Sequence, residues 1–170
     1  MFSEAVQEAM NEQIKNEIYS AYIYLSMSAH FEAVNLSGFA HWMRLQSEEE
    51  LEHAMKFFHY INDRGGRVEL RAIDQPPVEW GTPVEIFETA LAHEQKVSAM
   101  INNLYEIALK EKDYPSQVML QWYIDEQVEE ESHVGDIVLK LEQMADAPGG
   151  AYLLDKELGA RVFTMPPAGE

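Results

Sequence analysis

The sequence predicts an all-α fold. Four long helices form an antiparallel bundle, with a long crossover between the second and third and a short fifth helix near the C-terminus. Three observations lead there. Long stretches without Gly or Pro are separated by short clusters of them. Within the stretches, apolar residues recur every three to four positions, the period of a helix that buries one face. Two of the three connections between long stretches are short, which makes the helices they join antiparallel neighbours, and the other is long.

Residues 3–33 hold neither Gly nor Pro and form the first helix, broken at Asn35-Leu36-Ser37-Gly38. Residues 39–64 form the second, stopped by Gly65-Gly66. Residues 66–81 carry Pro76, Pro77 and Gly81 and read as an extended crossover. Thr82-Pro83-Val84-Glu85 starts the third helix: Thr82 caps it, Pro83 suits the first turn and Glu85 closes a capping box. That helix is expected to reach about Lys112. Asp113-Tyr114-Pro115 restarts the chain into a fourth helix ending near Ala145, and Ala147-Pro148-Gly149-Gly150 breaks it. A short amphipathic helix over about 151–159 precedes a Pro-rich tail. The long helices, about 26 to 31 residues each, would span roughly 40–46 Å at 1.5 Å per residue. One domain over 1–170 is the expectation, its bundle running from about 3 to 145.

Composition narrows the function. Twelve basic and 30 acidic residues leave a formal charge of −18. That argues against nucleic acid and against an anionic membrane, both of which call for a basic surface. At 46% hydrophobic and 11% aromatic, the chain is too apolar for acidic disorder. The absence of Cys removes disulfides, thiol nucleophiles and thiolate metal sites. No secretory pattern opens the sequence and no run of about 18 apolar residues occurs, so a soluble cytoplasmic protein is expected.

The stripes contain residues that a plain core would not. The first runs Val6, Met10, Gln13, Glu17, Ser20, Tyr24, Met27, Phe31, and the second Phe39, Met43, Gln46, Glu50, His53, Phe57, Tyr60. The third runs Val84, Phe87, Leu91, Glu94, Ser98, Ile101, Tyr105, Ala108, and the fourth Leu120, Tyr123, Gln127, Glu130, Val134, Ile137, Leu141. Each is interrupted near its middle by a carboxylate, and antiparallel packing brings the interruptions to one level. Buried carboxylates repel one another and are costly without a counter-charge, and no Lys or Arg stands in the stripes at those levels. A polyvalent cation resolves this. Oxygen ligands with one imidazole suit iron and related first-row metals. Glu50-x-x-His53 puts both groups on one face at i, i+3; alone the motif is weak, and its weight comes from coinciding with Glu17, Glu94 and Glu130.

A second acidic cluster flanks the first. Glu48 and Glu52 read as a solvated face of the second helix, with Lys56 one turn beyond Glu52. Glu49, Glu126 and Glu129 flank the inward ligands without such a partner and read as a further cation site. Tyr24, two turns after Glu17 on the same face, belongs beside the metals. It is either a core tyrosine needing a hydrogen-bond partner or a functional residue that donates to Glu94 or another ligand, or supplies an electron. His30, His41, His59, His93 and His133 match no paired ligand spacing and read as structural or surface residues.

Over roughly residues 3–163 the chain resembles the bacterial and archaeal non-haem ferritins. The resemblance rests on Glu17-Ile18-Tyr19-Ser20-Ala21-Tyr22, Glu49-Glu50-Leu51-Glu52-His53-Ala54-Met55, Arg64-Gly65-Gly66-Arg67, His93-Glu94 and Asp125-Glu126-Gln127-Val128-Glu129-Glu130-Glu131. It implies a ferritin-like bundle in which Glu17, Glu50 and His53 hold one iron and Glu50, Glu94 and Glu130 the other. Gln127 would lie beside the pair, and Glu49, Glu126, Glu129 and Glu130 would match a third iron site. The implied activity is oxidation of Fe(II) by dioxygen or peroxide and storage of a ferric mineral inside a hollow shell of 24 identical subunits. Gln127-x-x-Glu130 stands where bacterioferritins carry a second E-x-x-H, and Leu51 where they carry a haem-ligating Met, so no haem is expected. A bundle that mainly removes peroxide, and an inert storage subunit, are the competing expectations.

Overall fold

The computed structural model describes residues 2–145, Ala147 and 149–162. Its helices are α1 (Glu4–Ala33), α2 (Ser37–Asp63), α3 (Pro83–Lys110), α4 (Tyr114–Gln143) and α5 (Gly150–Leu158), with no strand among the described residues. The tail beyond Val162 and Pro148 in the predicted helix break lie outside the described residues. None of the helices is long and apolar enough to cross a membrane.

Three helices end in the same way. Asn35, Gly65 and Lys112 adopt positive φ of 60°, 72° and 55°. In each case the next amide reaches back to the carbonyl five residues earlier: Leu36 to Phe31, Gly66 to Ile61 and Asp113 to Ala108, all at 2.9 Å. These left-handed caps satisfy carbonyls that the helix end would otherwise leave free. They also stop α3 at Lys110, two residues before the expected Lys112, because Lys112 itself takes the left-handed position.

At the start of α3 both halves of the expected capping box are present, with the Thr82 amide donating to Glu85 at 2.7 Å. Asp113 caps α4 and also accepts from Arg64 Nη2 at 3.0 and 3.1 Å, tying the end of α2 to the α3–α4 turn.

The start of α2 differs from expectation. Ser37 and Gly38 are helical, and no side chain at the α2 N-cap bonds the first turn. The cap comes from α5: Asp155 Oδ1 accepts from the Gly38 and Phe39 amides at 2.8 and 2.9 Å. Gly38 permits this approach, since a Cβ there would stand 1.6 Å from the Asp155 carbonyl oxygen. Leu154 and Leu158 of α5 join the same apolar cluster as Phe39, Trp42 and Leu141.

Cross-helix contacts give the relative direction of each pairing. Ser28 meets Ala40 and Ser47 meets Ala21, so α1 and α2 are antiparallel. Gln46 meets Glu130, His53 meets Tyr123 and Tyr60 meets Ser116, so α2 and α4 are antiparallel as well. With α3 antiparallel to α4, the diagonal pair α2 and α3 run the same way. The connection between them must therefore travel the length of the bundle, which is why it is long. It does so along α1. Asn11 donates to the Arg67 carbonyl at 3.1 Å and accepts from the Glu69 amide at 2.9 Å; Arg71 pairs with Glu8 and Glu12, and Ser26 donates to the Pro77 carbonyl at 2.5 Å.

The apolar core is in two parts. One cluster runs from Ile23 through Phe31, Phe39, Phe87 and Leu141 to α5. The other gathers Val6, Met10, Phe57, Ile61, Ile101, Leu104 and Leu120. Between them lies a polar belt.

Asp155→Ala leaves two first-turn amides of α2 without their acceptor. The expected cost is about 1–2 kcal/mol, a fall in thermal midpoint of about 2–8 °C, read by calorimetry. Asp155→Asn, which keeps an acceptor oxygen, should recover part of it.

Candidate metal centre

The belt is made of the stripe residues that interrupt the apolar pattern. Glu17, Glu50, His53, Glu94 and Glu130 are all buried, as are Gln13, Gln46 and Gln127. Every predicted stripe position on α1 and α4 is buried too. Buried within the bundle, each carboxylate must find its partners inside.

Some partners are neutral. Gln13 Nε2 donates to Glu17 Oε1 at 2.9 Å, and Gln46 Nε2 donates to Glu130 Oε2 at 2.6 Å. Glu94 accepts from the Tyr24 hydroxyl and, at 3.3 Å, from Gln127 Nε2. Tyr24 thus makes the hydrogen bond expected of it. Gln127 also donates to the Glu94 carbonyl at 3.2 Å. Stripe position marks Gln13 and Gln46 in the sequence, but their roles as carboxylate donors depend on contacts that the stripe does not report.

Other oxygens have no partner. Glu17 Oε2 and Glu50 Oε1 are buried without any hydrogen bond among the described residues. Beside them His53 Nδ1 stands 3.5 Å from Glu50 Oε2. Glu17, Glu50 and His53 together offer three ligand atoms within 4.8 Å of one another. Two orphaned anionic oxygens and an imidazole nitrogen at that spacing fit a divalent cation. His53 is oriented by its surroundings: Trp122 and Tyr123 meet its ring edge-on, and the Tyr123 hydroxyl donates to the His53 carbonyl at 2.7 Å.

The electrostatics agree. Burial pushes the Glu50 carboxyl well above the carboxylate range, and the charges of Glu94 and Glu17 push it further. Burial raises Glu17 and Glu94 as well, and holds Glu130 well above its ordinary value with help from Glu50. Tyr24 is raised by burial and then by Glu94, so its hydroxyl keeps its proton and can donate. A bound cation would favour the ionised form of each of these carboxyls, so its binding would be coupled to proton release.

A second set of three, His53, Glu126 and Glu130, also comes within 4.8 Å. Glu126 is raised by burial. Glu49 and Glu129 belong to neither set. Glu129 is exposed, and the Glu49 carboxylate is turned to Arg161, which donates from Nη2 at 2.6 Å. This corrects the expectation that Glu49 has no basic partner. Glu126 likewise has a cation nearby, for Lys56, whose Nζ lies 3.6 Å from the Trp122 ring centre, feels its charge. Glu48, read as solvated, pairs with Arg44 at 2.5 Å.

The remaining histidines take structural or surface places. His93 is largely buried, and burial lowers it to about 4, so it is neutral at physiological pH. Its Nε2 lies 2.8 Å from Ser20 Oγ, at the floor of a groove of about 630 Å³ between α1 and α3 that Asn16, Tyr19 and Lys96 also line.

A ferritin-like domain model matches residues 7–144, from within the first turn of α1 to just past the end of α4. The chain belongs to the ferritin family. It is 46% identical over 161 residues to the bacterial non-heme ferritin of Bacteroides fragilis, covering 95% of this chain and all of the relative. It is 39% identical over 163 residues to that of Staphylococcus aureus, covering 96% and 98%. Among solved structures, an open-pore ferritin from Archaeoglobus fulgidus superposes with a TM-score of 0.94 at 48% identity, over 95% of this chain and all of that one. A humanized archaeal ferritin gives 0.95 at 47% identity, over 97% and 100%. The chain is an iron-storage protein, and Glu17, Glu50 and His53 form a buried group that could hold a metal ion.

In metal-free protein, Glu50→Gln removes a carboxylate that burial and its neighbours hold well above its ordinary range. The thermal midpoint at pH 7.5 should rise by about 2–8 °C, equivalent to about 1–2 kcal/mol. The sign follows from linkage: a carboxyl raised in the folded state binds more protons there than when unfolded, so stability falls as pH climbs from the ordinary carboxylate range through the raised value. Wild-type metal-free protein should therefore gain stability between pH 7.5 and 5.5, and E50Q should show a weaker slope in the same calorimetric series.

Proposed function

We propose that the chain is a ferroxidase as well as a store: it binds Fe(II) as substrate at a di-iron centre, oxidises it with dioxygen or peroxide, and passes it to a ferric mineral. The observation that carries this reading is the pair of orphaned carboxylate oxygens on Glu17 and Glu50 beside His53, sealed between two apolar clusters. A subunit that only stored mineral would have no use for anionic oxygens buried inside its own bundle, where they cost stability.

In this reading Glu17, Glu50 and His53 take one Fe(II). Glu50, Glu94 and Glu130 take the other, with Glu50 shared between them. Two Fe(II) at neighbouring positions supply two electrons to one oxidant. The protein's part is to fix the spacing, accept the protons and exclude bulk water. Tyr24 and Gln127 hold Glu94 in place by hydrogen bonds, and Gln13 and Gln46 do the same for Glu17 and Glu130. Tyr24 is also placed to supply an electron. Glu126 and Glu130, with Glu49 and Glu129 on their rim, make an outer site next to the pair.

A single bundle has no interior in which to keep mineral. Storage therefore requires a hollow homo-oligomer, and 24 subunits is the assembly we propose, in the cytoplasm. No haem is expected, since Leu51 gives no axial ligand.

Changing both Glu50 and His53 to Ala should slow the fast phase of Fe(II) oxidation by about two orders of magnitude or more while leaving the oligomer intact by size-exclusion chromatography. Fast oxidation surviving in an intact double variant would remove the assignment. Comparing rates with dioxygen and with peroxide in the wild type tests the oxidant. A large preference for peroxide would make the protein chiefly a peroxide-removing bundle.

A further inference from the structure

Arg161 lies three residues beyond α5 and reaches back across the sequence to α2. Its guanidinium donates from Nη2 to Glu49 Oε2 at 2.6 Å and from Nη1 to Gln46 Oε1 at 2.8 Å. The guanidinium carbon sits 4.7 Å from the centre of the Trp42 ring, and the Arg161 carbonyl oxygen is 2.9 Å from His41 Nε2. All four contacts are to one helix. The ion pair is sheltered, with side-chain exposures of 23% for Arg161 and 17% for Glu49.

The contact with Gln46 extends its reach. The Gln46 amide has one oxygen and one nitrogen to place. With the oxygen held by Arg161, the nitrogen is aimed at Glu130 Oε2, 2.6 Å away. Arg161 thus partners Glu49 directly and, through Gln46, fixes a donor on Glu130. Both carboxylates belong to the outer site as read above, and Glu130 also stands within ligand distance of His53 and Glu126.

We propose that Arg161 is a built-in counter-cation of the outer site. It pairs with Glu49 Oε2 when no metal is bound there, so that a metal ion taking that oxygen displaces the guanidinium and loosens the segment after α5. The proposal rests on the outer-site reading given under Proposed function. Its physical basis is competition between cations: a guanidinium on Glu49 Oε2 already balances the carboxylate charge and repels a metal ion brought to the same group. Coupling is reciprocal, so a metal that weakens Arg161 docking is itself weakened by Arg161 to the same degree.

The test uses full-length, metal-free, assembled protein and Zn(II), which binds without redox chemistry. Zinc is titrated calorimetrically into wild type, R161Q, R161K and E49Q, with sites assigned by anomalous scattering from zinc-soaked crystals. R161Q is expected to bind zinc at the outer site about tenfold more tightly than wild type, with R161K between them. Filling that site in wild type is expected to speed amide hydrogen exchange over residues 159–162. If E49Q leaves outer-site zinc unchanged, there is no outer site involving Glu49 and the proposal falls with that reading. If E49Q weakens zinc there but R161Q does not tighten it, and exchange over 159–162 ignores zinc, the site is real and Arg161 is only a structural tie. Thermal unfolding of each variant shows whether it is folded, and R161K carries the comparison should R161Q fail to assemble.

Discussion

Charge buried without counter-charge is the constraint around which this bundle is organised. A four-helix core would be most stable if apolar from end to end. Here the apolar core is cut in two, and the cut is filled with carboxylates whose burial and mutual repulsion raise their affinity for protons. The glutamines at the same level are the fold's answer to that cost. Each presents an amide that can satisfy a carboxylate without neutralising it, so the anion keeps a held position and stays available to a cation.

The helical scaffold makes that arrangement affordable. Left-handed caps close three helix ends, an ion pair ties Arg64 to Asp113, and the crossover is fastened along α1 by Asn11, Ser26 and Arg71. These contacts lie outside the belt and do not compete for its ligands. The stability needed to hold an unfavourable centre comes from the two apolar clusters and from the helix ends, away from the chemistry.

Much of this was legible in the sequence because helices write their buried face at a fixed interval. Glu17, Glu50, Glu94 and Glu130 could be placed at one level from stripe position and helix length alone, and the Thr82–Glu85 box marked the start of α3. What was not legible depends on contacts between distant parts of the chain. That Gln46 serves Glu130 on α4 rather than Glu50 on its own helix is set by cross-helix height, which periodicity does not report. Asp155 as the cap of α2, and Arg161 as the partner of Glu49, join positions 117 and 112 residues apart. Neither lies on a stripe or in a motif. Lys112 reads as part of α3 because nothing about a lysine signals a left-handed turn.

The path of the chain divides the centre between two hairpins. Glu17, Glu50 and His53 all come from α1 and α2, whereas Glu94, Gln127 and Glu130 come from α3 and α4. The first hairpin therefore holds a complete three-ligand set of its own, while the second offers its carboxylates only once the hairpins have docked. During folding, a cation could be captured by half of the molecule before the other half arrives. The carboxylates of the second hairpin join that set only with bundle closure, so the spacing between the two groups of ligands is set by how closely the two halves pack.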